Sequence, residues 1–393
     1  MKILMIVILL MSSFSIYAVS EAACIFTLIN PSATNTALGV VGGGANIWNQ
    51  NPLDTWDNPA ILGYHKGISI GYLHDDWFEK VFDDIYFDSA YLTLGWKGLG
   101  LMLPMINNQL NFGTSVDYGK QEMYDEDGYF VGTFDSWEIS TGFALGMNLL
   151  EFYTSLNDNE SISNLQKYSD FSIGYNYNLI ESNLSPEGQG ETETGYKGNG
   201  NSHTDGLGMI VRFSPLNETN FTNYSFIKAD LVSSVYYRNL SRTSISYVNE
   251  DQKDPLPYST DTAVSFRIAI GAENVKEMIP SVIFDELSVF CSDIISVYGN
   301  YGSSNLMEEN DEWGKGIELT LLDIVSFRWG YHQDKDGHIE GKTSGIGLNL
   351  RYKDLVRLQY NYAKFPGGDL QKFQRKSDFM LNVNLMTLLG IEQ

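Results

Sequence analysis

Any chemistry in this chain of 393 residues would come from a small set of side chains. The five histidines, His65, His74, His203, His332 and His338, lack metal-ligand spacing to one another or to Cys24 and Cys291. A zinc or copper centre needs such clustering, so no metal site is read. Asp125-Glu126-Asp127-Gly128 and Asp334-Lys335-Asp336-Gly337 open like calcium loops, but neither continues to the distant bidentate glutamate. Asp-Gly is a strong hairpin signal, and both stretches read as turns. Gly42-Gly43-Gly44 suggests a phosphate loop, yet no Lys-Ser/Thr follows it. The chain therefore reads as a non-enzyme with no catalytic residues and no cofactor. A formal charge of −24 excludes nucleic acid, whose phosphates need a basic surface.

Four arginines, Arg212, Arg267, Arg351 and Arg357, sit on the polar phase of alternating segments. Their roles depend on what those segments build. From Thr343 to Tyr362, Ile346, Leu348, Leu350 and Tyr352 alternate with Gly345, Gly347, Asn349 and Arg351. Val356, Leu358, Tyr360 and Tyr362 then alternate with Arg357, Gln359 and Asn361. Period two means β-strand, with one apolar and one polar face. A soluble sandwich would turn the apolar face to a core, whereas a transmembrane barrel would turn it to lipid and the polar face to a wet lumen.

The rest of the chain favours the barrel. Met1-Lys2, the aliphatic run Ile3–Met11 and the small residues up to Ala22 and Ala23 have the layout of a secretory signal peptide, assigned to residues 1–22. Glu21-Ala22-Ala23 lacks the aliphatic residue expected three places before a lipidated cysteine. Cys24 and Cys291 lie far apart in the sequence and could pair, although a free or buried Cys291 within a strand is the commoner outcome. No later run of about 18 apolar residues occurs, which leaves strands as the means of crossing a bilayer. Aromatics make up 13%, with 24 Tyr and 21 Phe, as interfacial belts require.

Residues 23–66 do not alternate and read as a compact plug, with Gly42, Gly43, Gly44, Trp56, Asn58, Pro59 and Ala60 as its candidate contact residues. From Gly67 to the end, 14 or 15 alternating segments follow, and an even closed sheet makes 14 the expected number. Gly98–Met105 and Gln109–Gln121 read either as two strands or as one broken at Pro104. Tight turns are read at Trp96-Lys97-Gly98, Leu322-Asp323-Ile324 and Lys353-Asp354. Long polar loops are read at Asp158–Gln166, Ser185–Thr204 and Asn249–Asp261, all at the opposite end. The expectation is an all-β transmembrane antiparallel barrel spanning 67–393, in a Gram-negative-type outer membrane. Arg212, Arg267, Arg351 and Arg357 would face its lumen, either balanced by carboxylates or lining a path for polar or anionic solutes.

Several stretches resemble the PorV/PorQ family of FadL-like outer-membrane barrels associated with type IX secretion. They are Ala37-Leu38-Gly39 before the glycine cluster, Trp56-Asp57-Asn58-Pro59-Ala60, and Tyr118-Gly119-Lys120 followed by Gly132-Thr133-Phe134. Phe327-Arg328-Trp329-Gly330-Tyr331, Gly345-Ile346-Gly347-Leu348 and Tyr360-Asn361-Tyr362 are similar to the family's closing strands. Thr36 stands where the family carries Arg, and the chain ends Gly-Ile-Glu-Gln rather than in an aromatic. The resemblance implies a 14-stranded barrel with an N-terminal hatch, and partners among secreted cargo or secretion-system proteins besides outer-membrane lipid. A FadL-like passage for hydrophobic or amphiphilic small molecules is the alternative, and a purely structural wall protein a third reading.

Overall fold

In the computed structural model, residues 22–384 are described apart from 42–45, 78–83, 105–112, 126, 158, 185–198, 223–224, 248–252, 273–292, 308–309, 335–338, 353–354 and 369–370. The signal-peptide reading, Gly42, Gly43, Gly44, Cys291 and the Lys353-Asp354 turn lie outside the described residues.

Among the described residues, alternating stretches give seventeen strands. They are β1 (Gly67–Asp76), β2 (Tyr86–Trp96), β3 (Leu99–Pro104), β4 (Thr114–Tyr124), β5 (Phe130–Asn148), β6 (Ser169–Asn183), β7 (Asn199–Thr222), β8 (Ser225–Arg238), β9 (Ser244–Ile245), β10 (Asp254–Pro255), β11 (Ser259–Ala272), β12 (Asp293–Leu306), β13 (Asn310–Leu321), β14 (Val325–Asp334), β15 (Ile339–Tyr352), β16 (Val356–Gly367) and β17 (Gln371–Val383). Every wall pairing is antiparallel, and β1 bonds to both β2 and β17, so the sheet closes. β3 and β4 share one place between β2 and β5, and β9–β10 form a separate small hairpin. The wall therefore has 14 places, as expected for an even closed sheet.

The hairpin of β15 and β16 decides between lipid and core. Ile346, Leu348, Leu350 and Tyr352 are 41–56% exposed, while Gln359 and Asn361, on the opposite face of the adjoining strand, are 7% and 2% exposed. The same inversion holds around the ring. Val264, Phe266, Ile268 and Ile270 face out on β11, and Asp261, Ser265 and Ala269 face in. An apolar exterior over a polar interior is stable only where hydrocarbon replaces water outside. Stacked Tyr301, Trp313 and Tyr331 run across β12–β14, as an interfacial aromatic belt would. Among the described residues no helix is long and apolar enough to cross a membrane. β5 and β7, with 19 and 24 residues, exceed the roughly 9–11 that a tilted strand needs to span, so the wall extends beyond the bilayer.

The loop arrangement corrects one expectation. Asp158–Gln166 is not a polar loop at the far end. It lies within a helical pair, α2 (Leu149–Leu156) and α3 (Glu160–Tyr168), on the same side as the tight Trp96-Lys97-Gly98 turn. Asn148 and Asn159 cap the two helices, accepting from the N–H groups of Glu151 (3.2 Å) and Ile162 (3.3 Å). The apolar residues within the pair recur at helical spacing. Two other loops are shorter than read, because β7 already starts at Asn199, and β10 and the start of β11 fall within Asn249–Asp261.

The described residues among 22–66 lie inside the barrel. The described part has 3-10 turns at Ile25–Leu28, Pro52–Trp56 and Pro59–Tyr64, and a short helix α1 (Ala33–Ala37). Gly39, with φ of +61°, reverses the chain after α1, where its backbone abuts Tyr331.

Candidate functional site: the plugged lumen

The Trp56-Asp57-Asn58-Pro59-Ala60 stretch forms the lower plug. Asn58 caps the final 3-10 turn, its Oδ1 accepting from Ala60 N–H at 3.0 Å, and its Nδ2 donates to the Val235 carbonyl of β8 at 3.2 Å. Pro59 takes the first position of the turn, where its missing N–H costs nothing. Ala60 is fully buried, and its carbonyl accepts from Ser172 Oγ at 2.6 Å. Trp56 packs against Tyr91 of β2, ring centroids 6.4 Å apart. Asp57 ties the plug to itself, accepting from Asn30 (2.6 Å) and Asn35 (2.7 Å).

Two belts of inward-facing glycines let the plug lie directly on the wall. A Cβ at Gly100 would stand 2.2 Å from the Leu62 carbonyl, and Gly95, Gly146 and Gly174 meet residues 59–66 as closely. Across the lumen, a Cβ at Gly314 would stand 1.7 Å from the Gly39 carbonyl, with Gly302, Gly316 and Gly330 equally tight against Leu38 and Val41. Any side chain there would displace backbone.

The lumen is divided by chemistry. On one side, Leu73, Phe87, Tyr91, Met102, Val116 and Ile180 point inward from β1–β6. They meet Phe26, Leu53, Trp56 and Leu62 of the plug, and Ile245 and Leu256 of the segment between β8 and β11. On the other side the interior is charged and amide-rich. Arg328 pairs with Glu318 and donates to Asn361 at 2.9 Å. Asn361 donates to Asp378 at 2.8 Å, and Asp378 accepts from the Ala33 N–H at 2.7 Å. Lys376 donates to the Asn30 carbonyl at 2.5 Å, and Arg238 to the Thr27 carbonyl at 3.2 Å. Buried charges persist only when so partnered.

The four arginines of the sequence reading take separate positions. Arg212 holds Asp170 at 2.6 Å and Asp230 at 3.4 Å, and Tyr64 of the plug donates to the same Asp170. Arg267 pairs with Asp293 at 2.6 Å, its guanidinium 5.7 Å from the Trp48 ring. Arg357 donates to Asn349 at 2.8 Å and to the Trp48 carbonyl at 3.5 Å. Arg351 faces Arg357 across the β15–β16 ladder. Sequence reasoning missed Arg328, Lys376, Asp378 and Arg238, although the strand phase that placed the others marks Arg328, between outward Phe327 and Trp329.

Burial sets the plug's protonation. Asp54 is fully buried, accepts from Asn49 at 2.7 Å, and is pushed up to about 8 by loss of solvent. Asp57 rises to about 6 for the same reason, against the pull of Arg238. His65, buried beside Thr93 of β2, falls to about 4. Cys24 is buried and free, its Sγ 3.6 Å from the Tyr247 hydroxyl, and burial raises its thiol. Among the described residues no cluster suits a metal ion. Gly67-Ile68-Ser69-Ile70-Gly71 has the spacing of a nucleophile elbow. It runs within β1 rather than at a strand-to-helix turn, and Ser69 Oγ accepts from Asn382 Nδ2 at 2.7 Å.

Among the described residues the wall ladder is interrupted beside β5. β2 pairs with β3 up to Pro104 and with β4 from Thr114, whereas β5 pairs with β3 at Ala144–Met147 and with β4 only up to Ser140. Among the described residues, Thr141–Phe143 of β5 have no ladder partner on that side. The gap borders Met102, Val116 and Ala144 of the apolar sector.

No family model matches the chain, and no curated protein matches its sequence. Among solved structures it is similar to the Ralstonia pickettii toluene transporter TbuX, at 11% identity over 90% of this chain and 97% of that one, with a TM-score of 0.33. The Pseudomonas putida toluene transporter TodX matches at 10% over 88% and 95%, TM-score 0.33. A Pseudomonas aeruginosa FadL homologue matches at 9% over 94% and 98%, TM-score 0.33.

Proposed function

We propose that this barrel sits in an outer membrane, delivered by its N-terminal segment as a signal peptide, and passes hydrophobic or amphiphilic small molecules without chemical conversion. One observation carries the reading: an apolar luminal sector, Leu73 to Ile180, borders an interruption of the wall ladder beside β5. A solute path lined continuously by charge would exclude such molecules, whereas here an apolar sector runs along β1–β6 between the buried carboxylates Asp75, Glu138 and Asp170. The plug blocks free diffusion, so passage requires residues 23–66 to shift. The luminal arginines then act as anchors for plug and wall, since Arg212, Arg267 and Arg357 already have partners. TbuX and TodX are toluene transporters by description, which accords with this class of cargo.

The test is uptake of a fluorescent long-chain fatty acid by cells making the barrel in their outer membrane. Uptake should exceed that of cells lacking it, and fall at least severalfold in Met102→Arg and Val116→Arg while the barrel level stays constant. Equal uptake with and without the barrel would refute the reading. A second reading, binding of secreted proteins as in the PorV/PorQ resemblance, draws on the β4–β5 tip. There Tyr124, Tyr129, Phe130 and Val131 are 49–72% exposed on a hairpin that outreaches the bilayer. Recovery of secreted or translocon proteins with the barrel, lost in Tyr129→Ser/Phe130→Ser, would favour it.

A further inference from the structure

The glycines that seat the plug shape the outside of the wall as well. Where Gly95, Gly100, Gly146 and Gly174 meet the plug backbone, the sheet carries no side chain on its inner face at those positions and lies directly on residues 59–66. On the outer face the same four glycines floor a depression of about 760 Å³. Its sides are Leu94, Trp96, Leu99, Leu101, Leu145 and Met147, all apolar. This dent belongs to the lipid-facing band and is independent of what passes through the lumen. Lipid chains pack poorly against a concave wall unless one enters it, because unfilled space forfeits dispersion contacts.

Two lysines stand at the rim of the dent, with Glu151 of α2 beside the Lys97-Gly98 turn and close enough to interact with Lys66. Trp96 leads directly into Lys97, whose Nζ lies 5.5 Å from the Trp96 ring centroid, and Lys66 precedes Gly67 on the same rim. Both lysines are exposed. Beneath them α2 packs on the Lys97-Gly98 turn, close enough that a Cβ at Gly98 would stand 2.7 Å from Phe152 N. Tyr153, Leu156, Leu165 and Tyr168 of α2 and α3 are exposed apolar or aromatic residues, suited to the headgroup level of the leaflet on this side. Acyl-sized space opening onto cations at interfacial depth is the chemistry of a phospholipid.

We propose that the dent binds one phospholipid of the leaflet on the chain-terminus side, with an acyl chain over the glycine floor and the phosphate against Lys97 and Lys66. Barrel refolded in nonionic detergent is titrated with dioleoyl phosphatidylglycerol and read by native mass spectrometry. The expected result is a single bound lipid per barrel. Dioleoylglycerol, which lacks the phosphate, should bind about 25-fold more weakly, since each of the two lysines contributes about fivefold. Lys97→Glu should weaken phosphatidylglycerol binding by at least that factor without touching the wall, and Leu101→Trp should abolish it by filling the dent. Ile317→Trp, on the far wall, should change nothing; heat-modifiable gel mobility checks that each variant folds. Absence of a stoichiometric lipid, equal binding of dioleoylglycerol, or Lys97→Glu and Ile317→Trp behaving alike would overturn the assignment.

Discussion

Placing side chains on the two glycine belts should free the plug while leaving the wall intact. At Gly314 an added Cβ would stand 1.7 Å from the Gly39 carbonyl, and at Gly100 2.2 Å from the Leu62 carbonyl. Both obstacles are backbone, so no rotamer relieves them; in a close-packed interior the plug must retreat by roughly 1 Å at each point. Overpacking of this kind costs about 1–3 kcal/mol per site. The two glycines touch different plug segments on different parts of the wall, so the pair Gly100→Val/Gly314→Val should cost about 2–6 kcal/mol if the sites act independently. At about 1.4 kcal/mol per decade, the undocked fraction rises between about 30-fold and 10⁴-fold. Valine also suits a strand, so the wall itself loses little. Planar-bilayer recordings should show a closed wild-type barrel and frequent stepwise openings in the double variant, together with sensitivity of cells to large hydrophilic antibiotics. Gly128→Asn serves as control, because nothing lies within 4 Å of a Cβ there and Asn tolerates its positive φ. A folded double variant as closed as the wild type would refute the reasoning.

Three further outcomes follow from the same contacts. Plug docking should weaken with rising pH between about 4 and 8: Asp54 keeps its proton up to about 8 inside the barrel, whereas the freed residue loses it near 4, so the docked state binds more protons in that window. Asp54→Asn should flatten that slope, read as the pH dependence of channel opening, and an unchanged slope would remove Asp54 from the account. Arg328→Met should cost about 3–5 kcal/mol, measured by urea titration in detergent, because it leaves Glu318 buried without its cation. Cys24 should resist maleimide in the docked protein and react once Gly100→Val/Gly314→Val frees the plug, since its thiol is buried and its ionisation suppressed.

Much of the wall was legible in the residues because lipid and lumen impose a strict two-residue period. Ile346 to Tyr352 and Val356 to Tyr362 appear as strands with the expected faces outward. Pro104 marked the division between β3 and β4, although not that both occupy one place. α2 and α3 were missed because polar composition outweighed the Asn148-x-x-Glu151 start signal and the helical spacing that follows. The plug's anchoring was beyond any local pattern. Ala33 bonds Asp378 across 345 residues and Lys376 reaches Asn30 across 346, separations that no periodicity reports. The apolar luminal sector left only isolated traces, such as Leu73 following Ser69 and Gly71 on the inward phase of β1.

The claim on which all of this rests is that hydrocarbon covers the outward side chains. It is tested most directly by single nitroxide labels at successive positions from Ile346 to Arg351 in bilayer-reconstituted barrel, with collision rates measured for oxygen and for a water-soluble nickel chelate. Labels at 346, 348 and 350 should collide freely with oxygen and scarcely with nickel, and those at 347, 349 and 351 should lack the oxygen maxima. Equal or greater nickel access at 346, 348 and 350 would contradict the account.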